Sequence, residues 1–149
     1  MPVGFHVRRP CGLALAFFLM GAPQAGADGL LAGQWEILQS GEINGAPGPV
    51  QKSTRCLTQD EVANLARTFS PVSRTTNSAC EQSEHELTPE RLKWRLQCTG
   101  QIDMDVAGEF DFDAPEHYTA TITARSFMLG RLMQNVRTSI EAKRVGECP

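Results

Sequence analysis

The chain has 149 residues, with 14 Lys and Arg against 17 Asp and Glu, and a formal net charge of −3. An acidic balance argues against nucleic acid and against an anionic membrane surface as partners, since both attract basic faces. The length suits a single domain, which at this size buries about two-thirds of its unfolded surface.

In chain order, the first element is a secretory signal over residues 1–27. Arg8 and Arg9 form a basic start, Cys11 to Met20 is an apolar stretch, Pro23 breaks it, and Ala25-Gly26-Ala27 supplies the small-x-small cleavage pattern. An apolar run of about ten residues is half the roughly 20 needed to span a bilayer, so it is not a membrane anchor. Arg8-Arg9-Pro10 ahead of Cys11 does not suit a lipoprotein signal, and the hydrophobic pair of a twin-arginine signal is missing. Cleavage before Asp28 leaves 122 residues; the leader holds two of the basic residues and no acid, so the mature net charge is −5. The expected location is the periplasm or the exterior.

The mature chain, residues 28–149, reads as one mainly β domain. Gln34 to Ile43 is a strand with Trp35 and Ile37 on one side. Asn44 to Pro49 is turn chemistry, since Gly frees φ and Pro fixes it. Val50 to Leu57 returns as a second strand. Thr58-Gln-Asp-Glu61 has the spacing of a capping box, and Val62, Leu65, Ala66 and Phe69 form a helical stripe that Pro71 closes. Residues 70–79 read as a polar surface loop. A weak strand over Glu81 to Leu87 turns at Thr88 to Arg91. Leu92, Trp94, Leu96 and Cys98 then alternate with Lys93, Arg95 and Gln97. Ile102, Met104, Val106, Gly108, Phe110 and Phe112 alternate with acids and Ala107. Thr99 to Gln101 as the connection predicts Arg95 opposite Asp105, and Gly108 predicts a bulge or bend. Asp113 to His117 turns the chain; Tyr118, Ala120, Ile122 and Ala124 form the next strand, and Leu132 to Val145 the last. The sum is an antiparallel meander of about seven strands, in a curved sheet or partly open barrel with one helix inserted after strand two. A two-sheet sandwich is the alternative.

Four cysteines follow the leader: Cys56, Cys80, Cys98 and Cys148. An even number in an oxidising compartment predicts two disulfides. Zinc ligands come in close pairs and redox pairs as Cys-x-x-Cys, and neither spacing is present. The strand pattern joins Cys80 to Cys98 across a hairpin and Cys56 to Cys148 over long range.

No motif carries catalysis. There is no Gly-x-Ser-x-Gly elbow, no phosphate-binding Gly loop and no His-Glu-x-x-His. Asp103 to Glu109 approaches the spacing of a calcium loop, but Ala107 fills an acidic position and strand alternation explains the same acids as a wet face. His85 and His117 fall on a weak strand and in a turn with no partner in view. Trp35, Trp94, Phe110, Phe112 and Tyr118 either fill the core or line a ligand cavity, and the small inner residues Gly108, Ala120 and Ala124 leave room for one. No metal, cofactor or catalytic residue is expected.

Gly33-Gln-Trp35-Glu36, Cys56-Leu-Thr58, Cys80, Trp94-Arg-Leu-Gln-Cys98, Gly108, Tyr118-Thr119 and Lys143-Arg-Val-Gly-Glu-Cys148 together resemble a family catalogued as domain of unknown function 3617, small exported bacterial proteins. The likeness spans nearly all of residues 33–148, with Ala120 where a glycine is usual. It implies a periplasmic location and brings no activity or catalytic residue. The expected function is non-enzymatic binding of an apolar small molecule or lipid by a monomer. An envelope accessory protein acting on another protein through its surface is the alternative.

Overall fold

A computed structural model describes residues 29–70 and 78–149. The expected secretory signal and most of the polar loop after the helix lie outside the described residues. The strands are β1 (Gly33–Ile43), β2 (Ala46–Pro47), β3 (Gln51–Leu57), β4 (Ser78–Leu87), β5 (Arg91–Gly100), β6 (Asp103–Ala114), β7 (His117–Met128) and β8 (Arg131–Gly146). Two short helices, α1 (Gln59–Ala63) and α2 (Leu65–Phe69), follow β3. All pairings are antiparallel, in the order β2-β1-β8-β7-β6-β5-β4, with β3 on the same side of β1 as β2. The result is the predicted meander as one open sheet, neither a closed barrel nor a sandwich. Its edges, β3 and β4, are polar over Gln51 to Arg55 and Glu81 to Glu86, which discourages edge-to-edge pairing.

The alternation seen in sequence sets the faces. Trp35, Leu57, Leu92, Trp94, Phe110, Phe112, Tyr118, Ala120 and Ala142 are buried on the inner face, with Leu30 beneath them. Lys93, Arg95, Asp105, Glu109 and Asp111 lie on the outer face, where acid and base alternate across strands. The acids of β6 are thus ion-pair partners for β5 and β7. Asp105 Oδ2 stands 2.6 Å from both Arg95 Nη2 and Arg125 Nη2, and the two cations hold its carboxyl below the usual range.

Three expectations need correction. The β5–β6 register is displaced by two residues: Arg95 faces Ala107 and Gln97 faces Asp105. Gln101-Ile102 makes the connection, and Arg95 reaches Asp105 diagonally instead. Gly108 makes no bulge, since it pairs in register with both Trp94 and Ile122. It is needed for close approach: a Cβ there would stand 2.3 Å from Trp94 Cζ2. The room that Gly108 was expected to leave is therefore filled by the Trp94 indole. The single predicted helix is two, broken at Asn64, whose Nδ2 donates back to the Asp60 carbonyl at 2.9 Å and competes with helix continuation.

The capping box at the first helix forms as predicted. The Glu61 amide donates to Thr58 Oγ1 at 3.3 Å and the Thr58 amide donates to Glu61 Oε2 at 2.8 Å. Both disulfides also form, Cys56–Cys148 and Cys80–Cys98, the latter joining residues directly opposite on β4 and β5.

Candidate ligand-binding face

The inner face divides into two halves. The lower half, toward the β4–β5 and β6–β7 turns, is sealed by the helices. Val62, Leu65, Ala66 and Phe69 pack on the core there, and Trp94 Nε1 donates to the Phe69 carbonyl at 3.0 Å, fastening α2 to the sheet. The Phe69 ring lies 5.1 Å from Phe110, 5.9 Å from Phe112 and 5.2 Å from Tyr118, centroid to centroid. Trp35 adds to the same cluster at 5.4 Å from Tyr118 and donates through Nε1 to the Leu31 carbonyl at 3.2 Å. Trp35, Trp94, Phe110, Phe112 and Tyr118 are thus brought together, each at most 4% exposed. Burial pushes the Tyr118 phenol up, an effect partly offset by the nearby charge of Arg55.

The upper half, toward the hairpin tips, lies beyond the described helices. Ile37, Val106, Ile122 and Ile140 begin it, half-buried against the core. Beyond them come Leu96, Met104, Ala124, Val136 and Ile43, with Met104 36% and Ile43 51% exposed. The register aligns Ile43 with Val136 and Val136 with Ala124, so these side chains form one apolar band across the sheet. The β1 end of the band borders a groove of about 380 Å³. Gln39, Gly41, Ile43 and Val136 form one wall, and Ala46, Pro47, Gly48, Pro49 and Gln51 the other. Pro47 and Pro49 matter to its shape. Proline cannot donate to a ladder, and the return arm of the first hairpin is broken between β2 and β3 at residues 48–50. A volume of this size falls within the usual range for small-molecule sites, which are apolar with a few polar groups.

The histidines fall elsewhere. His85 lies on the β4 edge opposite Trp94. His117 has partners that its sequence context did not announce: its Nδ1 is 2.7 Å from Asp113 Oδ1 and its Nε2 is 3.6 Å from Glu141 Oε1. The signal for the first contact was an acid four residues back across a tight turn. Near it, Glu86, Thr88, Glu90, Arg91, Asp111, Phe112 and Asp113 line an open groove of about 550 Å³. Arg91 Nε donates to Asp111 Oδ1 at 2.8 Å, which engages the best-placed carboxylate. No group of three or more His, Cys, Asp or Glu poised to hold a metal occurs among the described residues, and no helix among them is long and apolar enough to cross a membrane.

The feature least visible in sequence is the β7–β8 hairpin. Both strands run past the predicted boundaries to a turn at Leu129-Gly130. An extra residue, Met133, interrupts the register between Ser126 and Phe127, which erased the alternation that would have shown the hairpin.

No curated protein and no solved structure shows significant similarity to the chain. Residues 30–148 match the family described as Protein of unknown function (DUF3617), and with four-fifths of its length, both disulfides and the continuous sheet inside that match, the chain belongs to this family.

Proposed function

We propose that this is an exported, periplasmic protein that binds an apolar small molecule or lipid on the upper half of its inner face, without catalysing a reaction. The observation that carries the reading is the apolar band from Leu96 through Val106, Ala124 and Val136 to Ile43, left open by the described helices and ending in the groove at Ile43, Val136 and Pro47. Gln39 and Gln51 at that groove are suited to orient a polar end of the ligand. The aromatic cluster acts as the rigid floor beneath, through Ile37, Ile122 and Ile140. The predicted leader supports export, as do two disulfides in a chain of this size.

Native mass spectrometry of protein recovered from periplasm tests the reading. A bound apolar mass is expected. Gln39→Trp, which fills the groove without deleting a core residue, should abolish the bound mass and leave the melting temperature nearly unchanged. Protein that is repeatedly free of any bound mass, and that fatty acids or phospholipids do not stabilise, would overturn it.

A further inference from the structure

The β7–β8 hairpin stands out from the sheet. Its neighbours stop short: β1 ends at Ile43, paired with Val136, and β6 begins at Asp103, paired with Phe127. Residues 131–134 therefore reach about 10 Å beyond the end of β1 at the rise of a strand, Met133 being an extra residue, whereas on the β6 side only Met128 to Arg131 lie past the last pairing. The projecting part is apolar. Met128 is 43%, Leu129 97%, Leu132 55% and Met133 56% exposed. Alternation would place Leu132 and Met133 on opposite faces, and the bulge at Met133 breaks that alternation.

The turn breaks a second rule. Leu129 has φ of 51° and Gly130 of 75°, both positive, as a two-residue type I′ turn requires. The β1–β2 hairpin meets the same demand with Asn44 at 51° and Gly45 at 85°, the residue pair best suited to it. Leucine in the left-handed region is strained by its Cβ. A fully exposed leucine gains nothing from the fold in return, and such local conflicts gather at functional sites.

Charge completes the pattern. From His117 to Ile140 there are three arginines, Arg125, Arg131 and Arg137, and no acid. The nearest acids from neighbouring strands are Asp103 opposite Phe127, Asp105 bonded to Arg125, and Glu42 opposite Arg137. Arg131, at the turn itself, is in no ion pair among the described residues. Acids of neighbouring strands thus stand beside Arg125 and Arg137, and Arg131 is the arginine at the turn.

From the protruding apolar tip and Arg131 at its turn, we infer that the β7–β8 hairpin inserts into the surface of an anionic phospholipid bilayer. The tip is a small finger of four exposed apolar side chains, well below the roughly 800 Å² per partner of a stable protein interface. It matches the shallow depth, about 5–10 Å, to which apolar residues enter the headgroup boundary. Arg131 would meet a lipid phosphate there. This placement stands independently of the ligand proposed for the inner face.

Vesicle flotation of the disulfide-bonded protein tests it. Binding is expected to vesicles of phosphatidylglycerol with phosphatidylethanolamine, to weaken with salt, and to be much poorer on phosphatidylcholine. Leu129→Asn should lower binding about tenfold, by removing one buried leucine from the lipid. The same change should hold or raise the melting temperature, since Asn suits the turn. Arg131→Gln should cost about fivefold on the anionic vesicles alone. A wild-type protein that stays with the unbound fraction on anionic vesicles would overturn the inference, as would Leu129→Asn binding equally well. So would a crosslinker at position 129 that captures one protein partner while vesicle binding is absent. Ligand retention on the inner face should be unchanged in Leu129→Asn, so the two proposals fail separately.

Discussion

Replacing Gly108 with alanine tests how the helices are held on the sheet. The new Cβ would stand 2.3 Å from Trp94 Cζ2, 2.4 Å from Cε2 and 2.8 Å from Nε1. None of these atoms belongs to a flexible end, because the indole is 4% exposed and its Nε1 is bonded to the Phe69 carbonyl. The ring must move by about an ångström, and the bond to α2 lengthens or breaks. Overpacking of a filled core costs about 1–3 kcal/mol, and a lost buried hydrogen bond about 1 kcal/mol more. A loss of about 2–4 kcal/mol corresponds to a fall in melting temperature of roughly 10 °C for a domain of this size. Thermal unfolding followed by near-ultraviolet circular dichroism measures it. Trp94→Phe removes the three clashing atoms, so the double variant should be less destabilised than the two single variants summed, by about 0.5–3 kcal/mol. A Gly108→Ala protein that melts within about 2 °C of wild type, or additive single effects, would refute the packing argument.

Breaking the long-range disulfide with Cys56→Ser and Cys148→Ser frees a loop of 92 residues; chain entropy predicts a loss of about 4–5 kcal/mol, read from urea unfolding. Thr58→Ala removes the helix cap and should cost about 1 kcal/mol, whereas Glu61→Gln keeps the cap geometry and should cost less. Glu61 is held down to about 2 from an ordinary 4.5, chiefly by the Thr58 amide and then by Arg55. A lowered carboxyl stabilises the fold above its unfolded value, so that contribution should be complete above pH 4.5 and fade as pH falls toward 2. Solvent exposure keeps its size small. Asp105→Asn leaves Arg95 and Arg125 side by side without their shared anion, and should cost about 1–2 kcal/mol in the same unfolding assay, more at low salt.

Strands with one dry and one wet face announced themselves, which is why Leu92 to Cys98, Met104 to Phe112 and Tyr118 to Ala124 were legible residue by residue. The cysteine pairing followed from those strands, since Cys98 on the inner face needed Cys80 as its neighbour. What stayed hidden depends on contacts that periodicity does not encode. Ile102 kept the inward parity of β6, yet it is 44% exposed in the connection, so the register slid by two. Gly108 looked like a bulge because sequence cannot distinguish a glycine that bends a strand from one that admits a ring. Ser126 to Met133 showed no alternation, for Met128, Leu129, Leu132 and Met133 are all exposed and a bulge disrupts the period. The candidate site was legible only in part. The aromatic residues were identified, but the division of the inner face into sealed and open halves arises from where the helices dock.

The open half of the inner face is held together without cover from the described helices. The lower half has ten core residues and the helices. The upper half has a thinner apolar layer, and two devices compensate for it. On the outer face, Asp105 ties β5 to β7 through Arg95 and Arg125, just behind the apolar band. At the β4 edge, Cys80–Cys98 closes an 18-residue loop, which chain entropy values at about 3 kcal/mol. Cys98 lies opposite Met104, at a level beyond the described helices. The bond therefore acts where local opening would otherwise be easiest. With Cys80 and Cys98 both replaced by serine, amide exchange should accelerate over Ser78 to Gln82 and Gln97 to Asp105, and stay slow at Trp35, Phe110 and Tyr118. Uniform acceleration across the sheet would mean that the two halves open as one unit, and that the face proposed to bind a ligand has no separate local stability.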